Sequence, residues 1–435
     1  MIFELSIEDT CIVKGGKRLP KGHQLLQSKT KHPYIRTRDL NDHKINVNEI
    51  EYITPETHKE IERYIVDKGN LIISIVGTVG SCAIIPDNLD KANLTENCAK
   101  IVPKDSSVDT NFLYYFLISK IGQNEIYKNT VGSTQLKLPL YGIKNIKIPS
   151  IDEKSQARIA DFLSTLDKKI ELNQKINETL EEIAKTLFKS WFIDFDPVRA
   201  KAEGRPTGLS KEISDLFPDS FEDSELGEIP KGWKASQVKD FCSVIQKGIA
   251  PKYTENQSYP VINQKCIRNL EINFDLCRFT EYKKVMEDRY LENFDILLNS
   301  MGTGTLGRSA LFVEHHTKAV VDGCISVMRG KSKNFSLYVY QSISRREDEI
   351  INLSQGSTGQ TTLKTEDIGN LNLIQPTNEL IALFSKSVAD LHLKKYSNSQ
   401  ENKVLSNLRD TLLPKLISGE LKIPDAENLI KEKGI

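Results

Sequence analysis

The chain has 435 residues, with 59 Lys+Arg balancing 59 Asp+Glu, and is 39% hydrophobic and 27% charged. Such a length exceeds one ordinary domain, and the mix is that of a globular protein rather than a disordered or fibrous one. No apolar run approaches the roughly 20 residues of a membrane span. Met1-Ile2-Phe3-Glu4-Leu5-Ser6 lacks the basic and apolar regions of a signal peptide.

Zero net charge counts mildly against a nucleic-acid binder, which usually carries a basic surplus. It does not exclude one, because acidic residues cluster at Glu181-Glu182, Glu222-Asp223-Ser224-Glu225 and Glu347-Asp348-Glu349. Basic stretches such as Lys14-Gly15-Gly16-Lys17-Arg18 and Arg36-Thr37-Arg38 stand elsewhere. The seven cysteines are dispersed, with no C-x-x-C pair. They read as buried small hydrophobes in a reducing, cytoplasmic setting.

Residues 1–150 mix short β-like runs with turns. Leu71-Ile72-Ile73-Ser74-Ile75-Val76, Ala83-Ile84-Ile85 and Ile146-Lys147-Ile148 are predicted strands, and Phe112 to Leu117 a short buried helix. From Asp152 to about Ile193 the pattern turns helical. Ile159, Leu166, Asn173, Leu180 and Leu187 recur every seven residues, with Leu163, Ile170, Asn177, Ala184 and Trp191 beside them, and neither Pro nor Gly interrupts. This is a coiled-coil seam. Ala200 to Lys234, rich in Gly, Pro and charge, is a connector.

Residues 235–375 return to strands at Ile296-Leu297-Leu298, Ala310 to Val313 and Ala319-Val320-Val321, with a helix at Leu337 to Tyr340. A second seam follows: Phe384, Leu391, Asn398, Leu405 and Leu412, flanked by Ile381, Val388, Lys395 and Asn402. It is expected to stop at Leu413-Pro414, since proline cannot continue a helix interior. If the two helices pack antiparallel, Asn173 and Asn177 would meet Asn398 and Asn402 and fix the register.

The chain is thus written twice, with a period of about 225 residues. His32-Pro33-Tyr34-Ile35 aligns with Tyr259-Pro260-Val261-Ile262. Leu71-Ile72-Ile73 and Gly77-Thr78-Val79-Gly80 align with Ile296-Leu297-Leu298 and Gly302 to Gly307. Gly132-Ser133-Thr134-Gln135 aligns with Gly356-Ser357-Thr358-Gly359-Gln360, and Ile143 to Ile146 with Ile368 to Leu371. Each copy is large enough to be a domain plus a helix, which makes the expected fold α+β with pseudo-two-fold symmetry.

Gly302-Thr303-Gly304-Thr305-Leu306-Gly307 formally satisfies the dinucleotide fingerprint and, with Arg308-Ser309, nearly a phosphate loop. Both need a helix directly after the glycines. Here a strand follows, so a glycine hairpin is expected, with close approach to a DNA backbone as a further possibility. Small polar loops suit phosphate oxygens, Gln and Asn suit adenine, and Arg suits guanine. The candidate DNA contacts are therefore Lys14, Lys17, Arg18, Arg36, Thr37, Arg38, Thr78, Ser81, Ser133, Thr134 and Gln135 in the first copy. In the second they are Lys247, Lys252, Asn263, Gln264, Lys265, Thr303, Thr305, Arg308, Ser357, Thr358 and Gln360.

Signs of catalysis are poor. His315-His316 has no partner at metal-ligand spacing, and H-E-x-x-H and G-x-S-x-G are missing. Asp275 with Glu281-Tyr282-Lys283 is too tight for a nuclease set, and Asp196-Pro197 is followed by Val198 rather than by a methyltransferase signature. No catalytic or metal-binding residue is assigned.

Three longer segments resemble a known family. Leu187-Phe188-Lys189-Ser190-Trp191-Phe192-Ile193-Asp194-Phe195-Asp196-Pro197-Val198-Arg199-Ala200-Lys201 is similar to the central conserved region of type I restriction–modification specificity subunits. Glu225-Leu226-Gly227-Glu228-Ile229-Pro230-Lys231-Gly232-Trp233 resembles the entry to their second recognition domain, and Leu408 to Leu421 their C-terminal conserved end. The first copy begins at Met1 without such an entry.

The resemblance implies target recognition domains at 1–150 and 235–375. It implies spacer helices at 151–198 and 376–421, a connector at 199–234 and a tail at 422–435. It implies two antiparallel coiled-coil helices between the recognition domains, each of which reads half of a bipartite, asymmetric double-stranded DNA target. Two modification subunits would use S-adenosylmethionine for adenine-N6 methylation, and two restriction subunits would use ATP and Mg for translocation and cleavage. The chain itself would need no cofactor. Two rival readings remain: an enzyme fused to recognition domains, and a protein-only scaffold binding peptides.

Overall fold

The computed structural model describes residues 5–41, 43–256, 258–281, 286–302, 304–313, 318–354 and 362–432. These fall into two compact units, Met1–Leu172 with Glu401–Ile435, and Asn173–Gln400. Each unit therefore joins one strand-rich copy to half of each long helix.

The two copies share one topology in their first sheet. In the first unit the strands Cys11–Gly15, Cys98–Pro103, Leu71–Ser74 and Cys82–Ile84 form an antiparallel sheet in that order. In the second unit Cys242–Lys247, Ile325–Gly330, Ile296–Asn299 and Ser309–Leu311 do the same. Alternate residues of the central strand enter different cores. Leu71 and Ile73 pack with Phe112 and Phe116, whereas Ile72 packs with Ile35 and Ala83. Likewise Ile296 and Leu298 face one core and Leu297 another. A strand buried on both faces reads as a continuous apolar run, which explains why these segments lack alternation.

A second sheet in each unit contains a parallel pair. Tyr34 lies opposite Asn93, and Val261 opposite Val320. On its other edge Tyr34 faces Glu51, and Val261 faces Arg278. The registers agree residue for residue, so the aligned segments of the repeat are structurally equivalent. Equivalent glycines, Gly16 and Gly248, mark where the chain crosses this sheet. A Cβ would lie 2.0 Å from the Thr95 carbonyl oxygen at the first and 2.2 Å from that of Asp322 at the second. No larger residue fits there without backbone movement.

The first long helix spans Glu153–Phe192. Asp152 caps it by accepting the Ser155 N–H at 3.0 Å. It ends where Phe195 turns left-handed, with φ of 56°, ahead of Pro197. The second spans Asn378–Ser418, with Pro414 inside it, so the expected stop at Leu413-Pro414 is incorrect. Leu412, Leu413, Leu416 and Ile417 are all buried in the core of the first unit. Burying them contributes about 1.5–3 kcal/mol each, which outweighs the roughly 3 kcal/mol that an interior proline costs. Gly419, at φ of 72°, terminates the helix instead.

Within each unit the two helix segments run antiparallel. In the first, Lys169 pairs with Glu401 and Asp167 with Arg409. In the second, Glu181 pairs with Lys395 and Asn177 with Asn398. The entry Phe221–Ser224 and Gly227–Pro230 is a β-hairpin leading to buried Trp233, which packs against Phe192 and Phe195.

Candidate nucleic-acid interface

In the first unit, strand Pro33–Ile35 runs into a short turn, Thr37–Asp39. Asp39 closes that turn by accepting the Arg36 N–H at 2.8 Å. Its carboxylate is 1% exposed and also takes the Arg36 guanidinium at 3.2 and 3.3 Å. Glu51, on the neighbouring strand, accepts the other edge of Arg36 and, at 2.8 Å, Arg38 Nη2. A buried carboxylate needs such charge-assisted partners. Arg36 is consequently committed inside the unit, whereas the Arg38 side chain remains 65% exposed.

Two further loops join this turn. The glycine hairpin between Leu71–Ser74 and Cys82–Ile84 has Gly77 and Gly80 at φ of 86°, and Gly77 lies against the Thr37 methyl. Thr78 is exposed, and its carbonyl accepts the Ser74 hydroxyl. Ser81 is buried and faces inward, unlike an accessible contact residue. The loop carrying exposed Ser133, Thr134 and Gln135 is pinned beside the hairpin by a bridge between Val76 and Lys137 and by the Leu138 N–H to Ile75 carbonyl bond at 2.9 Å. Lys17 and Arg18 approach the same region. The Lys17 N–H bonds the Leu94 carbonyl at 2.8 Å, and exposed Arg18 pairs with Glu96 at 2.6 Å. Lys14 is exposed on its strand opposite Lys100.

The second unit repeats the meeting of turn and glycine hairpin with other side chains. Asn263, Gln264 and Lys265 take the places of Arg36, Thr37 and Arg38. The Asn263 side chain donates to the Leu276 carbonyl at 3.3 Å and accepts the Lys265 N–H at 2.9 Å. The Gln264 carbonyl accepts Asn299 Nδ2 at 3.0 Å, and its side-chain oxygen lies against Gly302. That oxygen is buried without a hydrogen-bond partner among the described residues. Lys265 is exposed. Asn299 also holds the Thr305 carbonyl at 3.0 Å, and Arg308 folds back on the Gly304 carbonyl at 2.7 Å. Met301, beside the glycine hairpin, forms a bridge with Thr362. Lys247 ends its strand, where its carbonyl accepts Arg289, and Lys252 is exposed. Thr303, Ser357, Thr358, Gln360, His315 and His316 lie outside the described residues, as do Tyr282 and Lys283.

The glycines of Gly302 to Gly307 are followed by strand Ser309–Leu311, paired antiparallel with Ile296–Asn299. A phosphate loop needs a helix to start directly after its glycines, and here a strand does. Among the described residues no three His, Cys, Asp or Glu side chains gather as metal ligands, and no helix is long and apolar enough to cross a membrane.

Local sequence reading did not reveal the partners of these segments. Cys266 and Cys277 stand where the first unit has Asp39 and Ile50, their sulfurs 3.9 Å apart. Arg278 stands where the first unit has Glu51, its guanidinium carbon 3.4 Å from the centre of the Tyr253 ring. Extending the repeat alignment beyond its glycine and proline anchors would have exposed both exchanges.

The comparisons with known proteins point one way. Residues 4–182 match the family model described as the type I restriction modification DNA specificity domain. The chain is 26% identical to the HindI specificity subunit of Haemophilus influenzae, covering 89% of this chain and 94% of that one. It is 29% identical to the MjaIX specificity subunit of Methanocaldococcus jannaschii, covering 90% and 87%. A crystal structure of a type I S subunit from M. genitalium shares the fold, with a TM-score of 0.56, 16% identity and 95% of each chain covered. Over most of its length the chain is thus similar to type I restriction–modification specificity subunits.

The helix seam carries a polar centre. In the second unit Asn398 Nδ2 donates to Asn177 Oδ1 at 2.9 Å, and Asn177 Nδ2 donates to the Lys395 carbonyl at 3.3 Å and to Ser399 Oγ at 3.2 Å. Asn173 is buried, and Asn402, in the first unit, is half-buried. The contact thus formed joins Asn177 to Asn398. Nearby, Lys395 and Glu181 form a buried ion pair. Burial depresses the His392 imidazole to about 4, and its Nε2 lies 2.9 Å from the Gln341 amide nitrogen.

Proposed function

We propose that this chain is the DNA-reading subunit of a type I restriction–modification complex, each unit recognising one half of a bipartite, asymmetric target. The observation that carries this is the repeated rim. In each unit the turn after the first strand of the second sheet meets the glycine hairpin, Thr37 against Gly77 and Gln264 against Gly302, and the turns carry different polar side chains. Two readers built on related frameworks with different side chains at the turn are suited to two unlike half-sites.

Linking two weak readers makes the second contact intramolecular and raises affinity without new contacts. The uninterrupted helices, Glu153–Phe192 and Asn378–Ser418, act in this reading as the element that sets the spacer. DNA turns once in about 34 Å, so a change in their length alters phase as well as distance. The four seam asparagines, Asn173, Asn177, Asn398 and Asn402, serve to hold the register. Methylation and cleavage belong to two modification and two restriction subunits, which bind S-adenosylmethionine, ATP and Mg, and the complex acts in the cytoplasm.

The test is a methylation assay of the purified chain with its modification partner, S-adenosylmethionine and a randomised DNA library. Sequence-specific adenine methylation that requires this chain is expected. Methylation without it, or without sequence preference, would overturn the reading. Removing one heptad from each long helix should change the preferred spacer while leaving both half-sites intact.

A further inference from the structure

The two rims differ most at a pair of equivalent positions. Glu51 faces Tyr34 across the antiparallel edge of its sheet, and Arg278 faces Val261 across the matching edge. The first unit thus places a carboxylate where the second places a guanidinium.

The surroundings are exchanged as well. Glu51 receives Arg36 and Arg38 and also accepts Gln27 Nε2 at 2.5 Å. With Asp39, this makes two carboxylates for two arginines, a locally neutral cluster that leaves only Arg38 mostly exposed. In the second unit Asn263, Lys265 and Cys266 replace Arg36, Arg38 and Asp39, so these positions no longer supply two arginines and a carboxylate. The Arg278 guanidinium carbon sits over Tyr253, 3.4 Å from the ring centre, and the Tyr253 hydroxyl donates to Asp322 Oδ2 at 3.3 Å. Its guanidinium makes no hydrogen bond to another described residue. Stacking fixes the plane of the fork but leaves its N–H groups facing outward from the contact. Arg278 follows directly on Cys277, whose sulfur contacts Cys266, and Leu276 holds the Asn263 side chain. The fork is therefore anchored beside Asn263 to Lys265, the turn that also touches the glycine hairpin.

A planar, preoriented fork at such a rim is suited to guanine, whose O6 and N7 accept two parallel N–H bonds. We propose that Arg278 reads a guanine in the half-site of the second unit, and that Glu51 in the first unit is a positioning residue that orients Arg38. This inference rests on the DNA-reading function proposed above. It goes further by assigning unlike roles to two equivalent positions.

The experiment uses the full chain with its modification partner and libraries in which one half-site at a time is randomised. Arg278→Ala should lower discrimination at one G·C position of the second half-site by roughly 5- to 150-fold, leaving the first half-site unchanged. Arg278→Lys keeps the charge and loses the planar fork. It should retain most binding while losing the same discrimination, which separates base reading from phosphate contact. Glu51→Gln should weaken discrimination in the first half-site only. If wild type selects a bipartite motif and Arg278→Ala either leaves it intact or weakens binding uniformly at every sequence, the assignment of Arg278 is overturned. If Glu51→Gln leaves the first half-site unchanged, the positioning role is overturned. If wild type selects no motif, the underlying function fails instead.

Discussion

Asn70 and Asp295 open equivalent strands and do the same local work. Asn70 accepts the Asp67 N–H at 3.1 Å, and Asp295 accepts the Glu292 N–H at 2.8 Å. What stands opposite differs. In the first unit it is the apolar Val102. In the second it is Arg329, bound to both Asp295 oxygens at 2.7 and 2.8 Å. The comparison teaches that a neutral cap needs no further partner, while a charged cap buried in the same turn must bring its counter-ion. The two units keep one backbone and solve its polar requirements separately.

The largest expected effect breaks this pair. Arg329→Ala leaves Asp295 buried and uncompensated, and should cost about 3–5 kcal/mol in chemical denaturation. Installing the first unit's solution, Asp295→Asn with Arg329→Val, should restore most of that stability. An unrestored double variant would show that the two solutions are not interchangeable.

A second contrast lies where each copy is tied to its long helix. Asp167 and His392 each stand six residues before a seam asparagine, Asn173 and Asn398. In the first unit the Tyr115 hydroxyl donates to Asp167 at 2.7 Å, and Arg409 pairs with it at 2.8 Å. In the second the tie is the neutral Gln341–His392 contact. Burial holds the His392 imidazole at about 4, while Glu181 opposes and Lys395 reinforces that shift. The folded value lies below the ordinary value near 6.5, so the unfolded chain binds the proton more readily. Its stabilisation is complete above about pH 6.5 and is lost as pH falls toward 4, on the order of 3 kcal/mol. Titrated unfolding should show this slope, and His392→Leu should flatten it. An unchanged slope would assign the acid sensitivity elsewhere.

The smallest expected effect concerns the seam. Asn398→Leu takes away the donor of the Asn177 Oδ1 and should cost about 1–3 kcal/mol. Asn177→Leu with Asn398→Leu should recover stability but loosen the register, read as a broadened spacer preference in the methylation products. A double variant as destabilised as the single one would argue against the pair.

Much of this architecture was legible in the residues. The repeat was visible because glycine hairpins and doubly buried strands allow few alternatives. The helices were visible because their heptads run without interruption. Pro414 misled because the energy that keeps it helical comes from Leu416 and Ile417 packing into a distant core. Arg36 was a candidate base reader on side-chain type, yet Asp39 and Glu51 hold it. A charge's commitment depends on neighbours brought in from another strand. The seam asparagines were found as a group, but that Asn398 bonds Asn177 depends on the stagger of the helices, which heptad spacing leaves open.

The most direct test of the central claim is to sequence methylated adenines across the genome of the host that carries this chain. The account expects one motif of two defined, unlike half-sites with a constant gap, lost when the chain is deleted. A single contiguous motif, or a bipartite motif that persists without the chain, would contradict it.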